Sequence, residues 1–174
     1  SGEIGFKEYL EKVDEYCANG LDSGYEGDFK DEVECIEAAK GIYAICLNES
    51  LSKHGQDIGT EQVIIENLAN ILIYCYVADS TLSRVMQHKD FYESKNQIVP
   101  ELCAKVYTAE QGIRVMEYTY KILNNIYNGD IPSDLNAKLD VLKERLSLST
   151  DTIGLKKIIG EKVVESGGYP VQSF

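Results

Sequence analysis

Apolar residues recur every three or four positions along most of the chain, and no segment alternates apolar and polar residues as a strand does. The sequence therefore predicts an all-α fold with no sheet. Short polar links separate the apolar segments, which is typical of an antiparallel helical bundle. The predicted bundle has three long helices, at about 29–53, 61–88 and 100–127, and shorter helices at about 3–18, 133–146 and 151–166.

Capping and helix-breaking residues set the predicted ends of these helices. The pairs that end a helix are Asn19-Gly20, His54-Gly55, Asn128-Gly129 and Gly167-Gly168. The predicted N-caps are Thr60, Ser133 and either Thr150 or Asp151. We expect a polar linker at 89–97 and an extended tail at 169–174.

Two of the long helices carry signals about packing. The helix at 61–88 is apolar on more than one face, which predicts a central helix with several neighbours and surplus apolar surface that finds a partner. Its longest uninterrupted apolar stretch, 71–77, is far shorter than the roughly 20 residues of a membrane span. In the helix at 100–127, Gly112 costs about 1 kcal/mol relative to alanine. Close approach of a neighbouring backbone would explain that glycine.

The charge of the chain restricts its partners. Its 174 residues fit one domain, and 17 Lys and Arg against 29 Asp and Glu give a net charge of −12. Such a chain repels nucleic acid and anionic lipid. Lys156, Lys157 and Lys162 form a locally basic amphipathic segment, a weak candidate for a membrane surface. A solvated lysine face on a core-packed helix is the favoured interpretation.

Five cysteines indicate the compartment: Cys17, Cys35, Cys46, Cys75 and Cys103. Their number is odd and no two are separated by two residues, so we expect free thiols, most of them on apolar faces. Cys103, near a helix start, is the thiol most able to react early, because helix N-termini stabilise thiolates. Free thiols and the lack of a basic-then-apolar leader predict a reducing, cytoplasmic location.

The sequence predicts no catalytic, cofactor-binding or metal-ligating residue. His54 and His88 lie at helix ends, and neither completes a Glu-x-x-His pair for a di-iron site. No glycine-rich dinucleotide or phosphate loop occurs.

Carboxylates are frequent but are interpreted as structural. Three of them predict a charged outer face: Glu32, Glu34 and Glu37. Glu66 and Asp79 lie in the most apolar helix and need a partner there, and Arg84 lies close to Asp79 in sequence. A structural polar contact is favoured over general acid or base work.

Two stretches carry a family resemblance. The first comprises Thr60-Glu61-Gln62, Leu68-Ala69-Asn70 and Leu82-Ser83-Arg84, and the second is Val164-Glu165-Ser166-Gly167-Gly168-Tyr169-Pro170. Both resemble the C-terminal helical domain of long-chain-type acyl-CoA dehydrogenases. The polar link after Met86 and the helix with Cys103 and Ala109 follow in the same order. The resemblance spans 29–174, which leaves 1–28 as an N-terminal helix and loop.

The resemblance implies an enzyme whose reactive part lies elsewhere. Such enzymes have an FAD-binding catalytic core in which a glutamate removes the α-proton of an acyl-CoA while the flavin takes the β-hydride. Long-chain members add a helical domain associated with dimer contacts or membrane placement. This chain shows no pattern for the small β domain, the flavin segment or the catalytic glutamate, so no residue role is transferred to it.

Two interpretations of function therefore stand. The first is a non-catalytic C-terminal domain of an FAD-dependent acyl-CoA dehydrogenase, packed on the catalytic core of its parent chain and forming a homo-oligomer. The second is a free-standing helical-bundle adaptor or binding protein with no enzymatic activity. Ser1-Gly2 as a cloning remnant would favour the first, and a natural start ahead of Glu3 would favour the second.

Overall fold

Helices make up most of the computed structural model, which describes residues 5–19, 23–95, 97–168 and 170–171. Within these ranges no strand occurs, so the predicted all-α class is confirmed. The helices are α1 (Phe6–Asn19), α2 (Lys30–His54), α3 (Gln62–Gln87), α4 (Lys89–Ser94), α5 (Val99–Tyr127), α6 (Ser133–Leu146) and α7 (Thr152–Ser166), with a 3-10 helix at Gly55–Thr60. The start of the predicted 3–18 helix and most of the predicted 169–174 tail lie outside the described residues.

The prediction of a polar linker at 89–97 is wrong, because the short helix α4 occupies most of that segment. The burial of Tyr92 favours this helix. The Tyr92 ring makes edge-type contacts with the rings of Phe91 and His88, at centroid distances of 5.7 and 6.5 Å. Lys89 forms an ion pair with Asp28, which ties α4 to the segment before α2.

One predicted N-cap is confirmed and two are wrong. The Asp151 carboxylate accepts a hydrogen bond from the Gly154 amide at 2.9 Å and caps α7. Thr60 instead donates its hydroxyl to the Asp57 carbonyl at 2.8 Å, inside the 3-10 helix. α6 begins at Ser133 itself, after Pro132, and no side chain caps it.

The centre of the bundle is formed by α2 and α5. α2 packs against α1, α3, α5 and α6, while α5 packs against α2, α3, α6 and α7. The prediction that the 61–88 helix has several neighbours is confirmed, since α3 packs against α2 and α5. Its predicted central position is wrong, because one side of α3 is exposed. Small buried residues in α2, such as Ala38, Ala39 and Gly41, let neighbouring helices approach closely. By length and composition alone α3 could cross a membrane, a test that core helices of soluble bundles also meet.

Gly112 lies where α2, α3 and α5 meet. A Cβ atom at this position would lie 3.0 Å from Cys35 Sγ, 3.2 Å from Tyr74 Oη and 3.4 Å from the Leu146 carbonyl. Tyr74 is held there, since its hydroxyl contacts Cys35 Sγ and donates to the Thr108 carbonyl, each at 3.3 Å. The expected close approach is confirmed, although side chains contribute more to it than backbone does.

Candidate functional site

The two histidines lie at helix ends, as the sequence predicts. His54 is the last residue of α2, and its Nδ1 lies 3.8 Å from Glu61 Oε1. It is more buried than a solvated helix-end residue, with a side chain only 17% exposed. His88 links α3 to α4 and packs on Tyr92. Across the described ranges, no three His, Cys, Asp or Glu side chains gather as ligands of a metal ion would.

The carboxylates of α3 are exposed rather than buried. Asp79 pairs with Lys40 of α2 at 3.1 Å, and the same ammonium contacts Glu37 at 2.8 Å. Sequence proximity had suggested Arg84 as the partner, whereas Lys40 lies 39 residues away and no local pattern indicates it. The pair ties α2 to α3, which supports the structural interpretation of Asp79.

The expected charged outer face of α2 is wrong for two of its three glutamates. Glu32 and Glu34 are buried, at 6% and 3% exposure. Glu34 Oε2 lies 2.8 Å from Arg145 Nη1, so the end of α6 supplies its counter-charge. Burial raises the pKa of Glu32, while the nearby Lys105 ammonium opposes that rise. Both residues belong to packing contacts between helices.

The basic segment of α7 is partly neutralised. Lys156 pairs with Glu110 of α5 at 2.6 Å, and Lys162 pairs with Glu165 at 2.8 Å. The Glu110 pKa is lowered, first by its hydrogen bond with Lys156 and also by Thr152. Lys156 therefore ties α7 to α5, whereas the Lys162 pair lies within α7. Both pairs weaken the case for a basic membrane-binding face.

The five thiols are all free, and their burial differs. Cys35, Cys46 and Cys75 are buried, Cys17 is half-buried and Cys103 is exposed. Burial raises the pKa of Cys46 and of Cys75 to about 12 each, and that of Cys35 to about 11. Partial burial also raises the Cys103 pKa, so the exposure of this thiol, rather than a stabilised thiolate, is the reason to expect it to react first.

We expect a thiol reagent to modify Cys103 first in the native chain and Cys17 more slowly. The three buried thiols should react only after denaturation, because the thiolate is the nucleophile and burial suppresses both ionisation and access. Titration before and after addition of denaturant measures this. Simultaneous reaction of all five thiols in the native state would contradict the burial described here.

An apolar surface runs along the outer face of α3, which we define by Ile65, Leu72, Ile73 and Tyr76. These side chains are all exposed, Ile73 at 57% and Tyr76 at 72%. Their spacing places them along the side of α3 that α2 and α5 leave uncovered. The surplus apolar surface predicted for the 61–88 helix is thus present, but as one open face.

A groove of about 300 Å³ borders this face, between α1, α2 and α3. Its lining is apolar or aromatic apart from Lys40: Phe6, Tyr9, Tyr43, Ala44, Leu47, Leu72 and Cys75. Burial raises the pKa of Tyr9 to about 12, so its phenol stays neutral. Lys40 is already paired with Glu37 and Asp79. The groove therefore suits apolar side chains rather than a charged small molecule.

The chain is similar to known proteins in both sequence and fold. A family model described as acyl-CoA dehydrogenase, C-terminal domain, matches residues 38–143, from within α2 to within α6. No curated protein matches the chain significantly. The crystal structure of an acyl-CoA dehydrogenase complexed with FAD from Bacillus anthracis has a TM-score of 0.80 at 18% identity. The similarity covers 95% of this chain and 28% of that chain, so this chain spans less than a third of that protein.

Proposed function

Because the chain belongs to the acyl-CoA dehydrogenase C-terminal domain family, we propose that it is the non-catalytic helical domain of an FAD-dependent acyl-CoA dehydrogenase. Its role is to pack on the catalytic core of the parent polypeptide, with a second subunit as a further partner. The observation that carries this proposal is the extent of the structural similarity, since 95% of the chain superposes on part of an enzyme complexed with FAD. Assignment to the long-chain type rests on the sequence segments around Thr60, Leu82 and Val164.

The α1–α2–α3 groove does not fit a flavin. The α1–α2–α3 groove lacks polar groups for a diphosphate, because its single ammonium, on Lys40, is held by Glu37 and Asp79. The flavin chemistry is therefore assigned to the parent's core, and no step of the dehydrogenation is assigned to this chain. Its own residues supply helices, interhelical ion pairs and apolar surface.

We expect the chain alone to bind no FAD and to oxidise no acyl-CoA, while the parent polypeptide that carries it does both. Hydride transfer requires a flavin held against the β-carbon of the substrate and a base at the α-carbon. The measurements are a flavin absorbance spectrum and acyl-CoA turnover with an artificial electron acceptor, on both polypeptides.

Either of two results would contradict the proposal. Yellow, active material from this chain alone would place the catalysis within it. Colourless, inactive preparations of both polypeptides would favour the free-standing adaptor instead.

A further inference from the structure

We propose that the outer face of α3, together with the adjoining α1–α2–α3 groove, is the surface on which the catalytic core of the same polypeptide docks. This inference rests on the proposed function and adds the surface and the mode of contact. The groove would receive apolar side chains of the core, while the ridge of α3 beside it would be covered.

The first argument is the concentration of exposed apolar side chains on this side of the molecule. Besides the four residues of the α3 face, Phe6 of α1 and Leu51 of α2 are each about two-fifths exposed. Leu72 belongs to both the α3 face and the groove, so the two are continuous. Soluble monomers rarely expose contiguous apolar patches of more than a few hundred Å², and larger patches mark interaction sites.

The second argument is charge. The chain carries a net charge of −12. Glu66 and Asp79 are exposed carboxylates on α3, although Asp79 is already paired with Lys40. A second copy would bring the same acidic residues to the contact, and like charges that meet across an interface disfavour it. A different surface, such as that of the core, can place basic residues opposite these carboxylates.

The third argument is connectivity. In a parent enzyme with this domain at its C-terminal end, the core precedes α1 and is joined to it. Phe6, the first residue of α1, lines the groove. A link that joins the core to α1 would end beside this surface, and a short flexible link would give an effective concentration on the order of millimolar. By contrast, the exposed apolar residues of α7 lie far along the chain from α1, on a helix that packs against α5.

Thiol labelling tests the proposal directly. In a Cys103→Ser background, which removes the exposed native thiol, Tyr76→Cys places a probe on the α3 face. Ala137→Cys is the matched control, because Ala137 is exposed on α6 and α6 has no extensive contact with α3. Labelling rates are compared between this chain and the parent polypeptide, and the flavin content and turnover of each parent sample are recorded.

The Tyr76→Cys thiol should react at least roughly tenfold more slowly in the parent than in this chain alone, because a covered thiol reacts only when the contact opens. The Ala137→Cys control should change by less than about twofold. Equal rates at Tyr76→Cys in a yellow, active parent would overturn the docking surface and leave the proposed function standing. Protection in a colourless, inactive parent would reject the proposed function and, with it, docking of a catalytic core, because some other part of the parent would then cover the face.

Two further arms identify other occupants. If the Tyr76→Cys thiol of this chain alone is protected and loses that protection on dilution, a second copy covers the face and the proposal is overturned. Protection of this chain by vesicles of phosphatidylcholine and phosphatidylserine would assign the face to lipid and would likewise overturn it.

Discussion

Alanine in place of Gly112 is expected to destabilise the bundle, even though alanine is the better helix former by about 1 kcal/mol. The new Cβ would meet Cys35 Sγ and Tyr74 Oη at 3.0 and 3.2 Å. Neither neighbour moves freely, since Cys35 is fully buried and the Tyr74 hydroxyl donates to the Thr108 carbonyl. Overpacking costs about 1–3 kcal/mol. After the gain of about 1 kcal/mol in helix propensity, the free energy of unfolding should fall by up to roughly 2 kcal/mol. Urea denaturation should show it as a lower midpoint, and thermal denaturation as a fall in Tm of up to about 8 °C.

Gly160→Ala is the matched control. Gly160 lies inside α7, and no heavy atom outside its own helix turn lies within 4 Å of a Cβ built there. The substitution should therefore stabilise α7 by up to about 1 kcal/mol, the full propensity difference. If both variants are stabilised alike, the contacts of Gly112 are softer than the geometry indicates and the close-approach argument fails.

The helices were predictable from the sequence because their signals are local. Apolar periodicity predicted the helices themselves. Asn128 and Gly167 end α5 and α7 because both adopt left-handed backbone conformations, with φ angles of 52° and 63°. The cap at Asp151 followed from a side chain three residues from the amide it binds. Where the local pattern misled, as in the 89–97 segment, the burial of Tyr92 outweighed the surrounding polar residues.

The arrangement of the helices was not predictable in the same way. Periodicity indicates that a face is apolar, but not whether another helix covers it. α3 is the most apolar helix and still has an open face, while α2 is central because residues such as Ala38 and Gly41 permit close packing. The candidate groove combines side chains from three helices, with Phe6 and Leu72 far apart in sequence, so no single segment predicts it.

Loss of the Arg145 guanidinium is expected to be among the most costly changes to a charged side chain in this protein. Glu34 is buried in α2, and Arg145 at the end of α6 supplies its counter-charge at 2.8 Å. Arg145→Met would keep much of the side chain's bulk and leave the carboxylate unpaired. Breaking a fully buried pair costs about 3–5 kcal/mol. Because the Arg145 side chain is 43% exposed, water can reach the site. We therefore expect Arg145→Met to lower the free energy of unfolding by roughly 2 kcal/mol.

Two further variants separate the charge effect from packing. Glu34→Gln combined with Arg145→Met removes the buried charge itself and should recover most of the lost stability in urea denaturation. Lys121→Met breaks the exposed Lys121–Glu117 pair at 2.7 Å and should cost no more than about 1 kcal/mol. An Arg145→Met cost as small as that of Lys121→Met would mean that water solvates Glu34 as it does a surface carboxylate. The α2–α6 contact would then depend on apolar burial by Leu139 and Leu142 rather than on the ion pair.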